Sequence, residues 1–596
     1  MKKELSIIFG ISLLFVFVIS INPNVITAQS NNNNSNSVGN LSDNKINSGE
    51  NQNLLKINIS SAKKIEDINF QSAANDSIKA KRAESQLTQK PINMEEREFS
   101  IFSKDFLESA KGNIKKSESL GNIGDTVSID PKKISGLTSV NSTVQNSTLA
   151  SPIEKNKPVN KETALISTPK EITGWKGLDR KSANLAGGPY PPDVAMAVGP
   201  HHVVQIVHTA VQIWDKEGNK TGFSFLKNFF NTKPGHFIGD QDIIYDKQAS
   251  RWFATIFDLG VRDPNTGNPS CKPDGCNVLA AVSANEDPTG SWSIYSFPFG
   301  FLIPDYPHIA VSNDKFVFTV NDFPIEGEGY LGTQIIVADK NSMISGQNFS
   351  FVMTNPEPKY FTLLPVRSDS SEECMYLSST DTRTSNSLQP KFTSIHLFNI
   401  CGNPSSNNVK IQHLKQIKMS PAPLPVLASQ PTITKKIDTG DMRMLSAVYQ
   451  NNTISQTFNT SCNPTQTVSQ ACIRVQKVNT SDFSLLKDFN IGINGHDVYH
   501  SSLAVNDTGN MIVVSGISGP KTFLSFLVGN ENNEFKVVVK GGAPLNDNPS
   551  DNEPNRFGDY LAAAADPIDG SLWGSGQYVN KDLPGPWSTY IGHVIE

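Results

Sequence analysis

Arg556–Pro567 reads RFGDYLAAAADP. A Gly-Asp pair turns the chain, a run of small apolar residues follows, and Asp566-Pro567 opens a second turn. Read alone, the stretch is a short, slim strand between two turns. It recurs along the chain. Its counterparts are PPDVAMAVG with Asp193, GDQDIIYD with Asp240, PDYPHIAVSND with Asp305, GDMRMLSAVY with Asp441 and GHDVYHSSLAVND with Asp497, closing with Asp559 in the quoted copy. A weaker copy, KYFTLLPVRSD from Lys359, lacks the Asp at this place. Successive copies stand roughly 45 to 80 residues apart.

A period of that size, with about four short strands to each unit, indicates a β-propeller of four-stranded antiparallel sheets. Seven copies predict seven blades. The innermost strand of each blade lies where the blades crowd together, so Ala, Val and Ser suit it. The Gly or Pro and the Asp then fall in the loop that delivers the chain to that strand, at one mouth of the central channel. Between copies, RWFATIFD, KFVFTVND, TQIIVADK and NMIVVSG read as strands, and DKEGNK, DPTGSW and VNDTGN as turns. Long helical periodicity is absent. The all-β propeller domain is expected over 171–596.

Upstream the texture is different. Residues 29–170 are rich in Asn, Ser and Lys, as in NNNNSNS and SVNSTVQNSTLAS. Such stretches bury too little apolar surface to offset chain ordering, so this region reads as a mostly disordered spacer, with one short helix around NMEEREFSIFSKDFLESAKGNIKK. Residues 1–28 carry Lys2 and Lys3, an apolar run from Leu5 to Ile21 and a small residue at Ala28, the pattern of an export signal cleaved after Ala28. An uncleaved anchor is the other reading, and the only membrane contact expected. Both place the bulk of the chain outside the cell, secreted or at the cell surface.

The six cysteines fall as Cys271 with Cys276, Cys374 with Cys401, and Cys462 with Cys472. An even count in loop-like surroundings favours three disulfides, each adding roughly 2–4 kcal/mol. There is no Cys-x-x-Cys knuckle for a metal. Asn141, Asn348, Asn452, Asn459, Asn479 and Asn506 begin glycan-acceptor triplets. The formal net charge of −5 and the absence of a basic block argue against a nucleic-acid partner.

The chain resembles secreted, sialidase-like propeller proteins of the BNR or Asp-box type. The resemblance spans about Gly174 to Glu596 and rests on PPDVAMAVGP, the RW of YDKQASRWF, the PDYP of Pro304–Pro307, and RFGDY followed by DPIDGSLW. SANEDPTGSW, Ser283–Trp292, resembles a stretched Asp-box, a hairpin motif whose role is structural. The resemblance implies a propeller and leaves activity open.

The acidic positions Asp193, Asp240, Asp305, Asp441, Asp497 and Asp559 are candidate binding residues. They either cap their own turns or, at Asp193, Asp305, Asp497 and Asp559, converge on a calcium ion. His308, His496 and His500 are further binding candidates. On a continuous strand His496 and His500 would share a face. Arg443, Arg556, Tyr306, Tyr560 and Asp559 have the residue types a sialidase-like hydrolase needs, with Arg367, Tyr499, Glu326 and Glu328 nearby in sequence. No catalytic set maps onto them one by one. The leading expectation is a binding protein that takes a glycan, peptide or cell-surface protein at the channel mouth. The alternatives are a sialidase-like glycoside hydrolase and a structural envelope component.

Overall fold

The computed structural model describes residues 54–87, 126–129, 134 and 171–595, apart from 184–190, 327–328, 370–371, 381–390, 466–467, 531, 533, 547–552 and 583–586. The export segment, the helix expected around 93–116, Asn141 and Glu328 lie outside the described residues.

The fold is a seven-bladed β-propeller. The innermost strands, in order from blade 1 to blade 7, are Ala195–Val198, His236–Asp246, Leu302–Val311, Leu364–Pro365, Met444–Gln450, Asp497–Val505 and Ala562–Ala565. From each, three further strands run outward in antiparallel register. Neighbouring inner strands touch in a closed cycle that returns from blade 7 to blade 1. All inner strands begin at one end of the channel, here termed proximal, and finish at the distal end. The quoted stretch is the start of blade 7: Ala562–Ala565 is its inner strand, and Asp566 caps the next turn by accepting from the Ile568 N–H at 2.9 Å.

The ring closes across the sequence. The outer strand of blade 7 is Glu171–Asp179, which pairs antiparallel with Trp587–Ile595. Between blades the core is built from slim inner strands and large residues further out. Trp252 and Trp292 of blade 2 pack with Ala195, Ala197 and Phe229 of blade 1, and Phe526 of blade 6 packs with Leu572 and Val579 of blade 7. The Ser283–Trp292 segment makes the hairpin between the outer two strands of blade 2. Asp287 there accepts from the Thr289 N–H at 2.9 Å, and the buried Trp292 indole donates to the Pro288 carbonyl at 2.9 Å. All three sequential cysteine pairs are disulfides.

The stretch read as spacer contains regular structure. Ile57–Asn69 is a strand whose first half pairs with the outer edge of blade 3 and whose second half pairs with the outer edge of blade 2. The next helix, Phe70–Leu87, lies against blade 1, with Phe70 buried and its ring 5.6 Å from that of Phe229. Thr126–Ile129 pairs parallel to the outer strand of blade 5. Composition missed the strand because Ile57, Ile59 and Ile65 stay exposed. Open blade edges supply its hydrogen bonds, so it needs little apolar burial.

Two glycan-acceptor readings are corrected by burial. Asn459 is enclosed and bonds the Thr439 carbonyl and the His500 N–H, and Asn506 is enclosed and bonds the Gly570 carbonyl. Neither has room for a sugar.

Candidate functional site

The blade starts share a backbone device that differs from the Asp pattern. Asp193, Asp240, Tyr306, Thr362 and His500 all have left-handed backbone, with φ of 43°, 46°, 59°, 57° and 50°. Each stands two residues before the pair at which its inner-strand ladder opens (Ala195 and Leu364) or resumes after an upstream stretch (Asp242, His308 and Ser502). In blades 2, 3 and 6 the ladder slips there, as a bulge does. Equivalence therefore runs through the kink, which Asp fills in only two blades. Asp305 lies one residue before the kink of its blade and Asp497 three before.

Four of the six Asp residues gather at the proximal end. Asp193 Oδ1 accepts from the Asp559 N–H at 2.7 Å, joining blade 1 to blade 7, and its Oδ2 faces His208 Nδ1 at 3.1 Å. Gly558, at φ 128°, permits this approach, since a Cβ there would stand 2.8 Å from Asp193 Oδ1. Asp240 Oδ2 accepts from the Tyr306 N–H at 2.9 Å. Asp559 pairs with Arg556 at 3.2 Å. Asp305 makes no side-chain hydrogen bond among the described residues.

The charges follow this packing. Burial, then the neighbouring charges of Asp305, Asp193 and Asp559, push Asp240 well above the usual carboxylate range. Burial also raises Asp305, to about 7, with Arg443 pulling down and Asp559 pushing up. For Asp193 burial is outweighed by the hydrogen bond and charge of His208, which hold it below its ordinary value, and His208 is correspondingly raised by Asp193.

The end is also capped by its own side chains. Arg443 is gripped by Asp441, with Nε to both carboxylate oxygens at 2.9 Å and Nη2 to Oδ2 at 2.6 Å, and it lies over the rings of Tyr306 and Phe361. Tyr306 and Tyr560 are buried, their centroids 5.8 Å apart, and the Tyr560 hydroxyl donates to the Gln241 carbonyl at 2.9 Å. Burial pushes both phenols well above their ordinary range.

The remaining candidates lie elsewhere. Asp497 is not part of the carboxylate group. Its oxygens accept from the N–H groups of Ser429 at 2.8 Å and Ala471 at 3.0 Å, which makes it a loop tie. His496 and His500 do not share a continuous strand, because the kink at His500 intervenes. His496 faces the Thr522 hydroxyl at 3.0 Å, whereas His500 faces the Asp559 carbonyl at 3.3 Å and stacks on Phe557. Tyr499 donates to Ser518, and Glu326 is exposed.

Further along the channel, two cavities open. One, of about 30 Å³, is lined by Asp242, His308 and Arg367 among inner-strand backbone. The other, of about 100 Å³, lies at the distal end, lined by the inner strands of six blades and by Arg367–Asp369 just past that of blade 4, with Arg367, Asp369, Tyr449 and Gln450 among its polar groups. Arg367 Nη2 donates to Asp242 Oδ1 at 2.6 Å, and Asp242 Oδ2 accepts from the Ile309 N–H at 3.0 Å and faces His308 Nδ1 at 3.4 Å. Burial works against the charge of Asp242, but Arg367 and His308 overcome it and hold the carboxyl well below the usual range. Asp242 escaped the sequence reading because it sits two residues past the repeated Asp, and His208 because a turn after the second strand of blade 1 brings it in.

No protein-family model and no curated relative matches the chain in sequence. Among solved structures it is similar to a Hadza microbial sialidase, with 9% identity and a TM-score of 0.36 over 57% of this chain and 66% of that one. It is also similar to the sialidase of Trypanosoma rangeli, with 8% identity and a TM-score of 0.32 over 67% of this chain and 60% of that one. The WD40 domain of Toxoplasma gondii coronin is matched at 8% identity and a TM-score of 0.33, over 72% of this chain and 86% of that domain. At these scores none carries an activity, ligand or partner across to this chain.

Proposed function

We propose that this chain is an extracellular or cell-surface binding protein that takes its ligand at the distal end of the propeller channel. The observation that carries this reading is Arg367. Asp242 fixes one guanidinium nitrogen, the remaining N–H groups have no acceptor among the described residues, and Arg367 lines the distal cavity. Such a held guanidinium recognises a carboxylate. Asp369, exposed and making no side-chain hydrogen bond among the described residues, and Gln450 stand in the same cavity to meet hydroxyl or ammonium donors. The ligand class is therefore a small carboxylate-bearing group carried by a glycan, peptide or protein. The three disulfides suit an oxidising compartment, and among the described residues no helix is long and apolar enough to cross a membrane.

Calorimetric titration of the full chain with N-acetylneuraminic acid, and with a short peptide ending in Glu, tests this reading. Binding of either that weakens at least about tenfold in Arg367→Gln supports it. No binding of either, or equal binding by the variant, contradicts it.

A hydrolase is the second reading, and Asp305 favours it. A carboxyl raised to about 7 near ionised neighbours is the kind of group that donates a proton at neutral pH. Against it, Arg443 and Arg556 are both engaged by Asp residues. Release of methylumbelliferone from a sialoside by wild type and not by Asp305→Asn would favour the hydrolase.

A further inference from the structure

The proximal group contains a second kind of chemistry, independent of the distal cavity. We propose that Asp193, His208 and Asp240 form a site for a divalent transition-metal cation of the Zn²⁺ type. One ligand atom from each residue lies within 4.8 Å of the others, and all three side chains are buried. A cation at the centre of such a triangle can reach all three at roughly 2 Å after small side-chain adjustments.

The backbone sets the triangle. Asp193 and Asp240 occupy the left-handed kinks of adjacent blades. The His208 N–H donates to the Pro192 carbonyl at 3.1 Å, fixing the turn from which its ring projects. Gly239 makes room for that ring, since a Cβ there would stand 2.4 Å from His208 Nε2. With a divalent cation bound, two ionised carboxylates and a neutral imidazole would make a site close to charge balance away from water.

A separate observation points the same way. Gln241 is fully buried, and its Nε2 donates to the carbonyls of Pro192 and Asp193, which holds its amide against this group. Its Oε1 has no hydrogen-bond partner among the described residues. An enclosed amide oxygen without a partner costs about 1–3 kcal/mol unless something occupies the space before it. Asp240 Oδ1 likewise makes no hydrogen bond among the described residues. The donor set is thus one nitrogen and two carboxylate oxygens. Imidazole with few oxygens suits Zn²⁺, whereas calcium takes six to eight oxygens. This departs from the calcium set expected from sequence, which included Asp497.

The test is titration of chelator-stripped full-length protein with Zn²⁺, followed by calorimetry and by thermal unfolding. The expected result is one stoichiometric site and a melting temperature that rises with Zn²⁺ by mass action. Asp240→Asn keeps an acceptor for the Tyr306 N–H and should weaken the site by about tenfold or more. His413→Asn, at the His396–His413 pair (3.1 Å), should leave it unchanged. Anomalous scattering from zinc-loaded wild-type crystals provides a readout that does not depend on the folding of any variant, with a peak among Asp193, His208 and Asp240 expected. Absence of stoichiometric binding, a loss of less than tenfold in a folded Asp240→Asn, or an anomalous peak found only elsewhere would overturn the proposal.

Discussion

Arg367 of blade 4 donates from Nη2 to Oδ1 of Asp242 of blade 2 at 2.6 Å. Blade 3 joins the same carboxylate through the Ile309 N–H and His308. One buried carboxylate therefore ties three consecutive blades inside the channel, and it aims the guanidinium that defines the distal cavity.

Removing that carboxylate should be costly. Asp242→Ala leaves the Ile309 N–H and His308 without their acceptor and Arg367 without its counter-charge, so a loss of about 3 kcal/mol is expected in urea unfolding. Because the folded-state pKa of Asp242 is depressed, its contribution is present above the ordinary carboxylate pKa. It is lost as pH falls below that value, towards the folded pKa. Wild type should show this acid-side loss and the variant should not.

Asp322 behaves in the opposite sense. It is fully enclosed in blade 3, neither carboxylate oxygen has a partner among the described residues, and burial raises it to about 8. A carboxyl raised in the folded state holds a proton that the unfolded chain has released. Stability should therefore fall as pH rises from about 4 to about 8, by up to about 1.4 kcal/mol per pH unit. Asp322→Asn should flatten this slope and unfold at higher denaturant than wild type at pH 8. An unchanged slope would contradict the assignment.

The docking of the N-terminal segment is open to a single substitution. Phe70 fills the space beside Phe229 and over Gly222, where a Cβ would stand 2.7 Å from its ring. Phe70→Ala should cost about 3 kcal/mol of docking. The expected result is faster proteolytic nicking within 54–87, with the propeller melting transition little changed.

Cys374 and Cys401 close a loop with a sequence separation of 27. Replacing both with Ala should lower stability by about 3–4 kcal/mol on the chain-entropy view. Thermal unfolding of the double variant, compared with wild type under oxidising conditions, checks this.

Much of the propeller was legible because its inner strands are chemically constrained: Ala195, Ala197 and Ala562–Ala565 are small where blades crowd together, and the turn residues beside them repeat. The cysteine pairs were legible because each joins near neighbours in the chain. The register was not. Asp193, Asp240, Tyr306, Thr362 and His500 share one backbone role with four different side chains, and a pattern anchored on Asp misplaces Asp305 and Asp497. The channel chemistry was hidden for a related reason. Asp242, His308 and Arg367 come from three blades, and His208 meets Asp193 and Asp240 only because the fold brings a turn to them. The strand Ile57–Asn69 was hidden because backbone pairing, not apolar side chains, holds it.

The most direct measurement is calorimetric titration of wild type and Arg367→Gln with N-acetylneuraminic acid and with the Glu-terminated peptide. The expected result is saturable binding of at least one of them by wild type, weakened at least about tenfold in the variant. Equal binding by both proteins, or none by wild type, would contradict a carboxylate-binding site at the distal end of the channel.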